Sequence, residues 1–224
     1  KMFLNPEAII YKFIQVFISI IIAIYLNSFA FAAQWDDVEY VIDGDTIILS
    51  DGRHVRLIGI DAPEIENRKK GKRAEPYGDE AKSFLQSLTA SKKVRLVLDQ
   101  DAKDHYGRTL AYVYLPDGTM ANDAMVENGY AHCLYKKPNI KFQKQLLIAQ
   151  RSAMKKRIGM WRQWQEKGQG GYLGNSRSHR FHRRQCDMGR KTSKKNQVML
   201  KTQWDAYWRG YAPCAHCLAG GIGR

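Results

Sequence analysis

The chain has 224 residues, 44% of them hydrophobic and 26% charged, with a formal net charge of +14. That is one domain of ordinary size with appendages, and too little for a TIM barrel carrying further domains. The apolar content excludes disorder throughout, four cysteines exclude a disulfide-dense scaffold, and 36 Lys and Arg against 22 Asp and Glu favour a polyanionic partner.

The first 33 residues differ from the rest. Lys1 and Lys12 flank the start, and Phe13 to Leu26 is an apolar run broken only by Gln15 and Ser19. Ala30-Phe31-Ala32 then forms a small-residue cleavage pattern. The run is short for a spanning helix, which needs about 20 apolar residues. The segment 1–32 therefore reads as a signal peptide or membrane anchor. A cleaved leader would send the chain out of the cytoplasm as a secreted or periplasmic protein. An uncleaved one would anchor it through residues 13–33.

Residues 36–165 read as one domain. Val38–Leu49 is β-rich, as one long or two short strands, and ends in Ser50-Asp51-Gly52-Arg53, a hairpin signal. His54–Ile60 is the next strand, closed by Asp61-Ala62-Pro63-Glu64 because Pro63 cannot donate to a ladder. Residues 65–76 are polar and basic and read as a loop. Tyr77–Ala90 is predicted helical, with Ala81, Phe84, Leu85 and Leu88 on one face. Strands follow at Val94–Leu98 and Thr109–Leu115. A short helix at Met120–Glu127 stops at Asn128-Gly129, and Ile140–Trp161 carries a long amphipathic pattern. Five short strands with helices fit an α+β fold built on a small closed Greek-key barrel of the OB type. Such barrels bind oligonucleotides or oligosaccharides, but the fold alone does not decide the chemistry.

Three segments concentrate chemistry: Ile42-Asp43-Gly44-Asp45-Thr46, Arg56-Leu57-Ile58-Gly59-Ile60-Asp61-Ala62-Pro63-Glu64, and Asp104-His105-Tyr106-Gly107-Arg108. Asp43, Asp45, Asp61 and Glu64 are carboxylates at strand ends. The Asp51-Gly52 hairpin can bring Asp45 beside Asp61, and two adjacent carboxylates repel unless a proton or cation sits between them. Oxygen-only ligation suits Ca²⁺ or Mg²⁺. Each Asp taken singly is also ordinary turn chemistry. Arg56 lies in an apolar strand and needs an anionic partner, either a structural carboxylate or a phosphate held by its fork. Arg108 can act in the same way. Arginines, carboxylates and a hard cation together suit phosphodiester hydrolysis.

These segments, in this order, with Tyr77-Gly78 opening a helix and Leu110-Ala111-Tyr112 in a strand, resemble the staphylococcal nuclease (thermonuclease) family over about residues 36–162. The resemblance implies an OB barrel with three helices. It implies Asp45, Asp61 and the backbone carbonyl of Ala62 as Ca²⁺ ligands, with Asp43 a carboxylate just behind the metal. It implies Glu64 as the general base, and Arg56 and Arg108 as the pair that binds phosphate and stabilises charge. Tyr106 and Tyr135 stand where the family contacts nucleotide, and His105 stands where a Lys is common. The implied reaction is cleavage of DNA and RNA with little sequence preference, leaving 3′-phosphate ends. No signal for an oligomer is visible, so a monomer is expected.

Residues 166–224 hold 12 Lys or Arg against 3 Asp or Glu. Gly168, Gly170, Gly171 and Gly174 suggest a linker, and the remainder reads as a loosely ordered basic tail. Cys214-x-x-Cys217 with His182-x-x-x-Cys186 gives a weak zinc signal. Disulfides among these thiols are the other reading in an exported chain. Trp204, Tyr207, Trp208 and Tyr211 suggest some packing or a stacking surface. Cys133 reads as a buried thiol inside the domain.

Overall fold

The computed structural model describes residues 11, 14–19, 34–66, 74–90, 92–166 and 170–218. The predicted cleavage pattern and most of the leader lie outside them. Residues 14–19 are helical. No helix among the described residues is long and apolar enough to cross a membrane.

Trp35–Arg224 forms one unit. It opens with β1 (Asp36–Asp43), β2 (Thr46–Leu49), β3 (His54–Leu57) and β4 (Ile60–Asp61). The β-rich stretch is thus two strands, because Asp43 and Thr46 pair across a tight turn. The predicted strand His54–Ile60 is also broken, at Gly59, whose φ of 81° suits glycine. Helix α1 (Gly78–Thr89) buries Ala81 and Leu85. Then come β5 (Lys93–Val97), β6 (Thr109–Tyr114), α2 (Ala121–Glu127), β7 (His132–Cys133) and α3 (Gln143–Lys156). The long amphipathic segment ends early because Arg157 turns left-handed at φ 54°, and Gly159–Trp161 continues as a 3₁₀ turn.

The strands close into a barrel in the order β1-β2-β3-β6-β5, with β5 returning to β1. All these pairs are antiparallel except β3 with β6. The five-stranded barrel and its helices match the expected OB-type α+β fold. Ile47, Leu49, Val55, Leu57 and Val113 fill it, each fully buried. Buried Asn122 ties α2 to the barrel: its amide donates to the Ile58 carbonyl at 2.8 Å and accepts from the Val113 N–H at 2.9 Å. Both ends of the side chain are satisfied, which is the condition for burying it.

The C-terminal residues depart from expectation. They are not a loosely ordered arm. They form β8 (Tyr172–Asn175), β9 (Arg180–Arg183), α4 (Asp187–Arg190), β10 (Gln197–Leu200), α5 (Gln203–Trp208) and β11 (Ala212–Pro213). The strands make a second sheet in the order β10-β8-β9-β11. Gly174, read as linker, lies inside β8. The physical reason is a second apolar core. Trp161, Tyr172, Phe181, Leu200, Ala206 and Tyr207 are buried together against Ala153 and Met154 of α3. Ring pairs such as Trp161–Tyr207 at 5.2 Å and Phe181–Tyr207 at 5.4 Å meet edge to face, the favoured geometry. The abundant Lys and Arg conceal this core in a composition count.

Candidate active site

Strand register assembles the cleft. In the β2–β3 hairpin Thr46 faces Arg56, so Asp45, the residue before Thr46 in the β1–β2 turn, comes beside the guanidinium. In the parallel β3–β6 pair Val55 meets Thr109, which brings Arg108 to the same end of the barrel. β4 pairs with β7, Asp61 opposite His132, and this fixes the chain just before Glu64.

The result is a cavity of about 760 Å³. Asp43, Asp45, Arg56, Asp61, Ala62, Glu64, Tyr106 and Arg108 all line it. Arg56 is the hinge of the arrangement. Its Nη2 lies 2.9 Å from Asp45 Oδ2 and 2.9 Å from Asp61 Oδ1, and its Nη1 donates to the Leu57 carbonyl at 2.8 Å. The two carboxylates expected to lie side by side are thus bridged by a guanidinium. Asp45 is the most constrained of them. It accepts from the Ala62 N–H at 2.9 Å and from the Thr46 hydroxyl at 3.0 Å. Asp43 stands behind it and accepts the Asp45 N–H at 3.1 Å.

Burial pushes the Asp45 carboxyl up to about 8; Arg56 opposes this, while Asp43 and Asp61 add to it. Burial is the largest cause, and the carboxylates of Asp43 and Asp61 add like charge beside the single bridging guanidinium. A hard divalent cation bound by oxygen would offset that charge. The donors therefore fit such an ion, with Asp45, Asp61 and the Ala62 carbonyl as the oxygens available.

Glu64 is placed through its backbone. Its N–H donates to Glu75 Oε2 at 3.1 Å, and its carbonyl accepts the Glu75 N–H at 2.8 Å. Gly78, which opens α1, permits a close approach: a Cβ there would come within 2.5 Å of the Glu64 carbonyl oxygen. Arg108 is placed by Asp104, which accepts its Nε–H at 2.8 Å and its backbone N–H at 3.0 Å. Burial acts to raise the Asp104 carboxyl, but the Arg108 and Tyr106 hydrogen bonds outweigh it and hold it below the usual range. Tyr106 is 74% exposed, with the Arg108 guanidinium 5.6 Å from its ring centre.

Two predicted contacts lie elsewhere. His105 lines a neighbouring 280 Å³ pocket with Lys103, Lys136 and Lys137. Tyr135 does not line the 760 Å³ cleft. Its ring stacks at 4.2 Å on His179 of the C-terminal sheet, which in turn stacks at 5.0 Å on Tyr211. Sequence reasoning missed Arg53, His54, Lys103 and Thr109, which also line the cleft. Strand register was the signal for them: Arg53 and His54 lead into Val55, which pairs with Thr109, and Lys103 bridges to Thr109. It also missed buried His132, whose Nε2 lies 3.9 Å from Asp61 Oδ2.

A family model described as staphylococcal nuclease homologue matches residues 54–163. The thermonuclease of Staphylococcus hyicus is 42% identical over 124 residues, 54% of this chain and 72% of that protein. The thermonuclease of Staphylococcus intermedius is 42% identical over 127 residues, 55% of this chain and 74% of that protein. Endonuclease YncB of Bacillus subtilis is 33% identical over 129 residues, 55% of this chain and 60% of that protein. Nucleases of this kind are generally metal-dependent. By its barrel, by the residues gathered in the cleft and by these likenesses, the chain belongs to the staphylococcal nuclease family.

Proposed function

We propose that this chain is a Ca²⁺-dependent endonuclease that hydrolyses phosphodiester bonds of DNA and RNA with little sequence preference. As a member of its family it is a nuclease hydrolase. The observation that carries the finer reading is the convergence of Asp45, Arg56, Asp61, Glu64 and Arg108 on one cleft.

Each group has a task in the proposed reaction. Asp45, Asp61 and the Ala62 carbonyl would hold Ca²⁺, with Asp43 steadying Asp45 from behind. The bound ion would polarise a phosphate oxygen and neutralise charge. Glu64 takes the proton of the attacking water as general base. Arg56 and Arg108 hold the phosphate and stabilise the negative charge that builds on its oxygens in the transition state. Tyr106, exposed at the rim, stacks an unpaired base, and the His105 pocket with its lysines receives backbone phosphates. A secreted or periplasmic location, with residues 1–32 as the exporting or anchoring segment, is supported by the apolar leader and its cleavage pattern. A monomer completes the reading.

The test is strand cleavage by the full chain on single-stranded DNA and on RNA. The panel is Ca²⁺, Mg²⁺ and excess chelator. Cleavage of both polymers in Ca²⁺, abolished by chelator, is expected. Equal activity in chelator would overturn the metal assignment, and binding without cleavage in either metal would reduce the domain to a binding module.

A further inference from the structure

Two pairs of ligand-type residues, His182 with Cys186 and Cys214 with Cys217, are distant from each other in sequence but come together in the C-terminal sheet. β9 carries His182, and the turn after it carries Cys186. β11 ends at Pro213, and Cys214-Ala215-His216-Cys217 follows directly. β9 and β11 run parallel, with Pro213 opposite Phe181. The Cys214 N–H donates to the Phe181 carbonyl at 2.9 Å, which sets Cys214 beside His182. One ligand atom from each of His182, Cys186, Cys214 and Cys217 lies within 4.8 Å of every other. Tetrahedral zinc with Zn–S bonds of about 2.3 Å requires edges of about 3.8 Å, so side-chain rotations of about 1 Å complete the geometry. Cys186 Sγ and His182 Nδ1 are already 3.6 Å apart.

Backbone N–H donors face two of the sulfurs. The Arg183 N–H donates to Cys217 Sγ at 3.4 Å, and the Met188 and Gly189 N–H groups point at the Cys186 sulfur. His182, Cys186 and Cys214 are buried. A Cβ at Gly189 would lie 2.8 Å from His182 Cβ, so glycine lets α4 close over the imidazole. The hydrogen-bond partner of the His182 ring among the described residues is that sulfur. A buried imidazole needs a better partner than a thiol. A single disulfide would use two of the three sulfurs, leave the third outside it and give the imidazole no better partner.

We infer that His182, Cys186, Cys214 and Cys217 form a closed Cys₃His site for one zinc ion. All four positions come from the protein, with none left for water, so the ion is structural rather than catalytic. It joins β9 and the turn after it to the segment 214–217 that follows β11. Strands of two to four residues leave the core of this sheet dependent on α3 and the 3₁₀ turn, and a metal is a usual staple in so small a unit.

The experiment uses the full chain purified under reducing conditions with zinc present, followed by gel filtration. Metal analysis is expected to give one zinc per chain. Alkylation with peptide mapping is expected to show Cys186, Cys214 and Cys217 protected until chelator is added, with Cys133 unaffected by chelator. Replacing zinc with Co²⁺ is expected to give thiolate-to-metal charge transfer and the visible bands of a tetrahedral site. Cys217→Ser should lose the zinc and Cys133→Ser keep it. Should Cys217→Ser fail to fold, the thiol map of the unaltered chain decides alone. No retained zinc, a disulfide among the three sulfurs, or zinc retained while the three thiols react at unchanged rates would each overturn the site. None of these readouts depends on nuclease activity.

Discussion

Arg56 and Arg108 have the same predicted task but different settings, and this decides which one tests the chemistry cleanly. Arg56 is largely buried and bridges Asp45 and Asp61. Removing it strands two carboxylates, at a cost of roughly 3–5 kcal/mol, so lost activity would report lost folding as well. Arg108 is about one-third exposed, and its partner Asp104 keeps the Tyr106 and Arg108 backbone N–H groups. Arg108→Ala is therefore expected to lower turnover roughly 10²–10³-fold, the usual loss for one stabilising donor, with little change in thermal midpoint. Turnover within a few-fold of the unaltered chain would remove Arg108 from the reaction. Residues of this kind were legible in sequence because Asp-Gly-Asp-Thr and Asp-Ala-Pro-Glu are local strings. Tyr135 was less legible: its surroundings come from His179, 44 positions away, and no local pattern records that contact.

At the level of elements, strand register explains both success and failure. Short strands separated by Asp-Gly and Pro turns announced the barrel, and the β2–β3 hairpin alone brings Thr46 opposite Arg56. The C-terminal sheet made no such announcement. Its strands are only two to four residues long, and its order depends on apolar partners contributed by α3 and the 3₁₀ turn. Gln150 of α3 shows how the two are joined. It is fully buried, accepts the Cys133 N–H at 2.6 Å and donates to the Tyr207 carbonyl. Arg151 adds a bond to the Trp208 carbonyl at 2.8 Å. Gln150→Leu keeps the volume but leaves the buried Cys133 N–H without its acceptor, while the Tyr207 carbonyl retains the Gly210 N–H at 2.9 Å. A loss of roughly 1–3 kcal/mol is expected in denaturant unfolding, at the scale of one unmet buried group. An unchanged unfolding midpoint would show that the junction is held by its apolar contacts alone. The same junction reaches the cleft, because the Tyr207 ring lies 5.2 Å from His132, the neighbour of Asp61.

For the whole molecule, charge is the governing quantity. A net +14 chain attracts a polyanion before any specific contact forms. Binding of single-stranded DNA, measured in chelator to prevent cleavage, is expected to weaken steeply with salt. Each phosphate neutralised contributes about −0.7 to the slope of log affinity against log salt. A flat dependence would mean that the basic surface does not contact the backbone. Composition revealed this attraction, but it could not show where the charge sits or that a second apolar core lies beneath the basic C-terminal segment.

In the proposed reaction the cleft between β2, β3 and β6 hydrolyses phosphodiesters with Glu64 as base. The most direct test of this is single-turnover cleavage of single-stranded DNA in Ca²⁺ by the unaltered chain and by Glu64→Gln, with binding measured alongside. Cleavage is expected to fall roughly 10²–10⁴-fold, as for loss of a general base, while binding stays within a few-fold. Undiminished cleavage by the Gln variant would contradict the role of Glu64 and place the proton transfer elsewhere.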